Sequence, residues 1–492
     1  MNTKAQIIEI KQKAVKNISY NFIGKTVGSI VQAFGNIVLT RLLTASDFGI
    51  FSFANIISNL LLSFNDFGVN SALIQKKTLN NKELSTALFI KLGLGLLISG
   101  TAFFLAPFSV FLMNNEAIIN VIKISSISFI ISAFWLLPNV LLVRNVEFKT
   151  INKINTISTI ITTVITVILA FCGFGYWSLV LATIINNILN IILYNFAKPI
   201  PIIFTFEKNF ASYIYSFGGS VFFSKVLIQV LVSSDNFVVG YVLGSASLGF
   251  YSLAFNWSSI LCGLAYSTIQ TVVFPLFSRI NNDIVLIRQG YLKVLKYCAF
   301  IGAVAYVTLF VISRDFIVVI LGSGTEKWIE SLSVLRIFCL YGLLRMIQEG
   351  FVTTCMAMGK PNIVLRANIA AVILQIALIY PAINLYGLKG VAISVTLACL
   401  VQYCVYLNTI LKDLILSFKN LIMTLLPVIA VLPIISIIYF DKFLNVSIFT
   451  FFSKLFISPL LCILVHGIAT KWELEREIYL IISNRKIFSE NS

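Results

Sequence analysis

Apolar runs of membrane length, each bounded by a few polar residues, recur along the whole chain. They lie near 18–41, 48–73, 86–112, 117–142, 154–173, 175–196, 213–242, 248–278, 297–321, 331–357, 367–384, 388–411, 420–440 and 446–470, fourteen in all. A helix needs about 20 apolar residues to cross the hydrocarbon core, so this pattern predicts an all-α integral membrane protein of about fourteen spans. The connections are short; Asn114-Asn115-Glu116 and Gly173-Phe174-Gly175 are typical.

The spacing also carries an internal repeat. Residues 22–61 laid over 222–261 without a gap give ten identities, among them Lys25/Lys225, Leu43/Leu243, Gly49/Gly249, Ser52/Ser252 and Ser58/Ser258. Six spans separate the copies, an even number, so both enter the membrane in the same direction. That predicts parallel repeats about an axis along the membrane normal, with the substrate in a central cleft between them. The expected organisation is a leader (1–17), a first six-helix lobe (18–196), a proline-bearing linker (197–212), a second lobe (213–411), two further spans (412–470) and a tail (471–492).

Composition removes other classes. Of 492 residues 59% are hydrophobic and 11% charged, which leaves no water-exposed surface for a large soluble domain. The formal charge of +17 is spread between apolar runs rather than gathered on one face, so no nucleic-acid partner is expected. With the N-terminus inside, one side of the membrane receives 24 Lys/Arg and the other five, which places both termini in the cytoplasm. The leader has four lysines but neither a long apolar core nor a cleavage site, so it is not read as a removable signal.

Familiar chemical motifs are missing. The eight cysteines sit in apolar stretches without C-x-x-C spacing and read as small core residues. The single histidine, His466, has no second ligand nearby, and Gly24-Lys25-Thr26 lacks the glycine that a phosphate loop requires. No metal or cofactor is expected, and no enzymatic activity. A membrane-embedded glycan polymerase would need a catalytic acid on an external loop, where Asp47, Glu116, Asp315, Glu326 and Asp441 are the candidates.

Ionisable groups inside the spans are functional candidates by default, because hydrocarbon penalises them. Lys25 and Lys225 occupy equivalent repeat positions and suit a clamp on phosphate or pyrophosphate; snorkelling to the interface is the alternative. Lys91 and Lys123 lie nearer span ends, where snorkelling leads. Arg345 and Glu349, four apart on one helical face, form either a structural ion pair or a substrate contact. Arg336 is half a turn out of phase with Arg345, so a straight helix cannot aim both into one cavity. Cationic-cleft candidates are therefore Lys25, Lys225, Arg336 and Arg345. Asp66, Asp235 and Glu349 are the candidates for coupling to H+ or Na+. The amides Asn186, Asn187 and Asn190 suit either sugar hydroxyls or helix-helix bonding.

Residues 41–75 (RLLTASDFGIFSFANIISNLLLSFNDFGVNSALIQ) resemble the span 1–2 signature of the Wzx-type polysaccharide flippases, in the branch of colanic and teichuronic acid exporters. Further similar stretches are GFGYWSLV (173–180), DNFVVGYVLGSASLGFYSLAFN (235–256), VVFPLFSRI (272–280) and EKWIESLSVLRIFCLYGLLR (326–345). The resemblance runs from about residue 18 to 410 and implies the multidrug/oligosaccharidyl-lipid/polysaccharide exporter fold. It also implies a substrate, an oligosaccharide repeat unit on undecaprenyl pyrophosphate, carried from the inner to the outer leaflet of the plasma membrane. A monomeric transport unit among membrane lipids is expected, working with a polysaccharide polymerase and a chain-length regulator. A multidrug antiporter of the same fold is the alternative; organic cations would want acids in the cleft, whereas basic residues outnumber acids within these spans.

Overall fold

In the computed structural model the described residues are 24, 26–76, 78–145, 147–200, 203–280, 283–414, 416–433, 446–470 and 472. The leader 1–17, Lys25, the latter part of the thirteenth predicted span, Asp441 and the tail apart from Trp472 lie outside them. The described residues form helices and turns without a strand. In order these are α1 (26–42), α2 (Ala45–Asp66) with a short continuation α3 (Val69–Gln75), α4 (Asn81–Leu105) and a one-turn α5 (Val110–Met113). Then come α6 (Ala117–Arg144), α7 (Phe148–Phe171), α8 (Tyr176–Ala197), α9 (Lys208–Arg279), α10 (Ile284–Asp315), α11 (Glu330–Ala357), α12 (Pro361–Asp413), α13 (Phe418–Ile429) and α14 (Ile448–Thr470). Nine of the described helical stretches are long and apolar enough to cross a membrane by length and composition.

The two longest helices are each broken at a glycine, and the breaks follow the repeat. In α9 Gly244 has φ 80° and ψ −175°, two hundred positions after Thr44, which caps α2 through a reciprocal box with Asp47. In α12 Gly387 adopts φ 57°, ψ −135°, nearly the conformation of Gly175 ahead of α8 at φ 54°, ψ −135°. A side chain is strained in that region, so the same residue type makes the same bend twice.

Contacts gather the chain into two compact units, Met1–Leu253 and Ala254–Ser492. Residues 213–253, which the repeat groups with the second lobe, thus pack in the first unit, along α2. There Ser52 Oγ donates to its own repeat equivalent, Ser252 Oγ, at 3.1 Å. Gly49 lies against the backbone of Ser245, and Gly249 against that of Ala45, where a Cβ on either glycine would collide. Exchanging each residue for its equivalent turns one contact into the other. Self-pairing and reciprocity of this kind are what a twofold axis produces, and small residues let the helices approach closely enough to show it. An apolar core joins α3, α4, α6 and the start of α9 through Val69, Leu73, Ala87, Leu137 and Ile214.

In the second unit α14 lies along α10. Cys462 packs with Val307, Val311 and Val431, and the Lys454 ammonium meets Asp315 Oδ2 at 2.6 Å with both side chains buried. Thr450 donates to the other oxygen of Asp315 at 3.0 Å. His466 is buried against the Phe300 ring, 4.3 Å between centroids, as a core histidine would be. The final span is therefore fastened by polar as well as apolar contacts. Six of the eight free cysteines are buried; Cys172 and Cys404 are exposed.

Candidate functional site

Within the first unit a cavity of about 400 Å³ opens among α2, α6, α8 and α9. Its wall on α2 comes from Asn65 together with Asn55, Ser58, Asn59, Leu62, Ser63 and Asp66, the latter six at three- and four-residue spacings that fall on one helical face. From Asn55 to Asp66 this stripe runs about 16 Å along the axis at ~1.5 Å per residue. Such a face turned to lipid would leave amides unpaired, whereas turned to a cavity it can be satisfied by water or ligand.

One end of the cavity is charged. The Asp66 carboxylate lies between two ammonium groups, with Lys225 bonded to Oδ2 and Lys91 3.5 Å from Oδ1. The Asn70 backbone N–H adds a donor to Oδ1 at 3.4 Å. Lys91 is completely buried, while the Lys225 side chain is 43% exposed and lines the cavity. In their ordinary ionised forms the three groups carry one net positive charge. The carboxylate lowers the cost of burying Lys91, and the more accessible Lys225 supplies the charge a ligand would meet.

The remaining wall is uncharged. Trp135 donates from Nε1 to Asn187 Oδ1 at 3.1 Å and stacks on Tyr194, whose hydroxyl donates to Asn155 at 2.9 Å. The indole is therefore held in one orientation. Asn65 spends its amide donors on Phe129 O and Ser132 Oγ, both at 3.1 Å. Its Oδ1, with Asn70 Oδ1 and Ser128 Oγ, is buried without a hydrogen-bond partner among the described residues, and all three residues line the cavity.

The sequence candidates divide between the units. Lys225 and Asp66 come together in this cavity, but Lys25, the proposed partner of Lys225, lies outside the described residues. Asp235 is buried in the same unit and accepts from Tyr251 Oη at 2.8 Å and Asn236 Nδ2 at 3.2 Å. In the second unit Arg345 pairs with Glu349 at 3.3 Å and reaches Gln402 Oε1 at 3.5 Å. Arg336 points elsewhere, as its phase requires. Its Nε donates to Ser313 Oγ at 3.0 Å, and its guanidinium stands over the Phe310 ring. It lines a separate cavity of about 570 Å³ that is otherwise apolar apart from Tyr306 and Thr396, walled by Leu340, Leu343, Leu397 and Leu400.

Two sequence expectations change. Lys91 does not snorkel but ends, fully buried, at Asp66; its depth, ten residues beyond Asn81, was the available signal, since about 15 Å of helix separates it from the end. The amides of α8 separate: Asn186 Oδ1 accepts from Ser158 and Thr162 of α7, while Asn187 faces the cavity. Sequence reasoning missed the Asn55–Asn59 part of the α2 stripe, although its helical spacing was legible. Among the external acids, Asp47 caps α2 and accepts the Tyr176 N–H at 3.1 Å, and Asp315 is committed to Lys454.

A predominantly apolar chain whose described residues are helices and turns, with a polar cavity among them, is an all-α membrane transporter in architecture. Residues 38–333 match the family described as "Polysaccharide biosynthesis protein", and the chain belongs to that family. It is 25% identical to lipopolysaccharide biosynthesis protein WzxC of Escherichia coli (strain K12) over 447 residues, 88% of each chain. It is 21% identical to teichuronic acid biosynthesis protein TuaB of Bacillus subtilis (strain 168) over 324 residues, 65% of this chain and 66% of that one. Its fold is that of the lipid II flippase MurJ in an inward closed conformation, with TM-score 0.75 at 18% identity, covering 93% of this chain and 99% of that one.

Proposed function

We propose that this protein is a flippase that carries lipid-linked oligosaccharide repeat units across the plasma membrane for surface polysaccharide synthesis. The observation that carries the reading is the polar cavity of the first unit, with the Lys91–Asp66–Lys225 cluster at its end, in a chain of this family and fold. A passage for a sugar head through hydrocarbon needs buried groups that can replace water, and the cavity supplies amides, hydroxyls and a cation. The substrate is an oligosaccharide on undecaprenyl pyrophosphate, moved from inner to outer leaflet by alternating access of two six-helix lobes, 18–196 and 213–411. The apolar runs of the sequence support fourteen spans, and the charge asymmetry of their loops supports both termini in the cytoplasm. A polymerase and a chain-length regulator are the partners that would use the product, and one chain is the transport unit.

Coupling to H+ or Na+, where it operates, runs through Asp235, whose carboxylate meets neutral donors, rather than through Asp66 or Glu349, which already face cations. A multidrug antiporter is disfavoured because the one acid lining the cavity, Asp66, is already paired with two ammonium groups, Lys225 in the cavity and Lys91 buried behind it. The test is to deplete the protein and follow lipid-linked oligosaccharides by mass spectrometry, with an impermeant sugar-oxidising reagent reporting the leaflet. Complete repeat units protected on the cytoplasmic side are expected. Single units accumulating on the outer side would point to a polymerase, and an unchanged pool would refute the flippase reading.

A further inference from the structure

The cavity of the first unit has one charged end and a long uncharged wall, and the wall needs a ligand of its own. An anion alone would be met by Lys225 at one end and would leave the remainder of the stripe, out to Asn55, unused. A lipid chain would bury that stripe against hydrocarbon, which is costly for every unpaired amide. Three buried polar atoms, Asn65 Oδ1, Asn70 Oδ1 and Ser128 Oγ, have no hydrogen-bond partner among the described residues of the fold. Two are amide oxygens and can only accept; the third, a hydroxyl, can donate or accept. With one of its acceptor sites held by the indole N–H, Asn187 is oriented so that its amide donors are fixed in direction. Trp135 itself is locked by Tyr194 and offers a rigid aromatic surface.

We infer that this wall is a saccharide subsite, in which one or two sugar residues of the transported head lie against Trp135 and exchange hydrogen bonds with Asn187, Asn59 and the orphaned oxygens. Sugar hydroxyls both donate and accept, which matches a wall that presents both kinds of group without charge. The apolar faces of a sugar ring suit the indole. At about 400 Å³ the cavity has room for a short saccharide. The inference rests on the flippase reading for the identity of the sugar, but the binding it asserts can be measured without transport.

The experiment titrates purified full-length protein in nanodiscs with the oligosaccharide released by mild acid from the lipid-linked pool of the same strain. Inorganic pyrophosphate is the parallel probe, and the readout is tryptophan fluorescence. Saccharide binding should perturb the emission, the perturbation should vanish in Trp135→Phe, and Asn187→Ala should weaken binding about tenfold, as expected when a buried partner is left unpaired. Binding of the saccharide to Trp135→Phe is followed by calorimetry, so that a lost signal is distinguished from lost affinity. Lys225→Gln should weaken pyrophosphate binding and leave the free saccharide within about twofold. A cavity that binds pyrophosphate but no saccharide, or one whose saccharide affinity is indifferent to Asn187→Ala, overturns the proposal. Binding as described, in a strain whose lipid-linked pool is unchanged on depletion, would refute the flippase reading while leaving the subsite standing; the reverse pair of results would do the opposite.

Discussion

The two units each enclose a cavity, and the two could hardly be lined more differently. In the first unit the α2 stripe, Trp135, Asn187 and the Lys91–Asp66–Lys225 cluster make a wall that replaces water. In the second, leucines of α11 and α12 make a wall that excludes it, with the Arg336 guanidinium on Ser313 as the one charge. The backbone repeats closely enough that Gly175 and Gly387 bend alike. Scaffold and lining are therefore independent variables: a repeat fixes where helices break and meet, and the side chains on facing stripes decide which part of a ligand each cavity can take.

The sharpest contrast comes from the ion pairs, which are chemically similar and differ in what surrounds them. Asp315→Leu should cost about 3–5 kcal/mol, because it leaves Lys454 buried without its carboxylate, and Asp315→Leu/Lys454→Met should recover most of that. Thermal unfolding of the purified protein measures both, and the double variant should retain saccharide binding because the pair serves only to fasten α14. Asp66→Leu strands Lys91 in the same way and should lose about 3 kcal/mol, since Lys225 stays partly accessible. Here the matching repair, Asp66→Leu/Lys91→Met, should restore stability but not export. Full export by that repaired variant would mean that the cluster is structural, and would erase the distinction between the units.

The next effect tests the shared scaffold. Gly175→Ala and Gly387→Ala should each destabilise by about 1–3 kcal/mol, because both place a Cβ where φ is positive. Equal losses in thermal unfolding support equivalent bends; a loss at one site alone would show that the repeat has diverged there. The smallest effect is at the axis. Ser52→Ala or Ser252→Ala removes a single interhelical hydroxyl bond and should cost about 0.6 kcal/mol, with no change in export. A large effect on export from either would make that contact a moving part rather than a hinge point.

Much of this was legible in the chain itself. Period and length gave the helices, and an offset of two hundred gave the pairing that Ser52 and Ser252 now display. The phase between Arg336 and Arg345 predicted that they would part, and they do. The partners of the buried charges were not legible, because a carboxylate on α2 can reach lysines on α4 or α9 equally well until packing chooses; it reached both. Lys91 lies deeper than its place near a predicted span end suggests, since ten residues of α4 precede it, and Lys25 lies outside the described residues. The amide stripe was readable at helical spacing, but hydropathy conceals it, since Asn and Ser are diluted by Leu, Ile and Phe on the other faces of α2.

Transport by the purified protein is the most direct measurement of flippase activity. In proteoliposomes containing the lipid-linked oligosaccharide, an impermeant sugar-oxidising reagent first consumes only the outer-leaflet pool. With the wild-type protein the protected inner pool should be consumed as well, and Asn59→Ala/Asn187→Ala should slow this markedly while Arg336→Gln does so far less. Protection of the inner pool identical to that in protein-free liposomes would contradict the flippase reading.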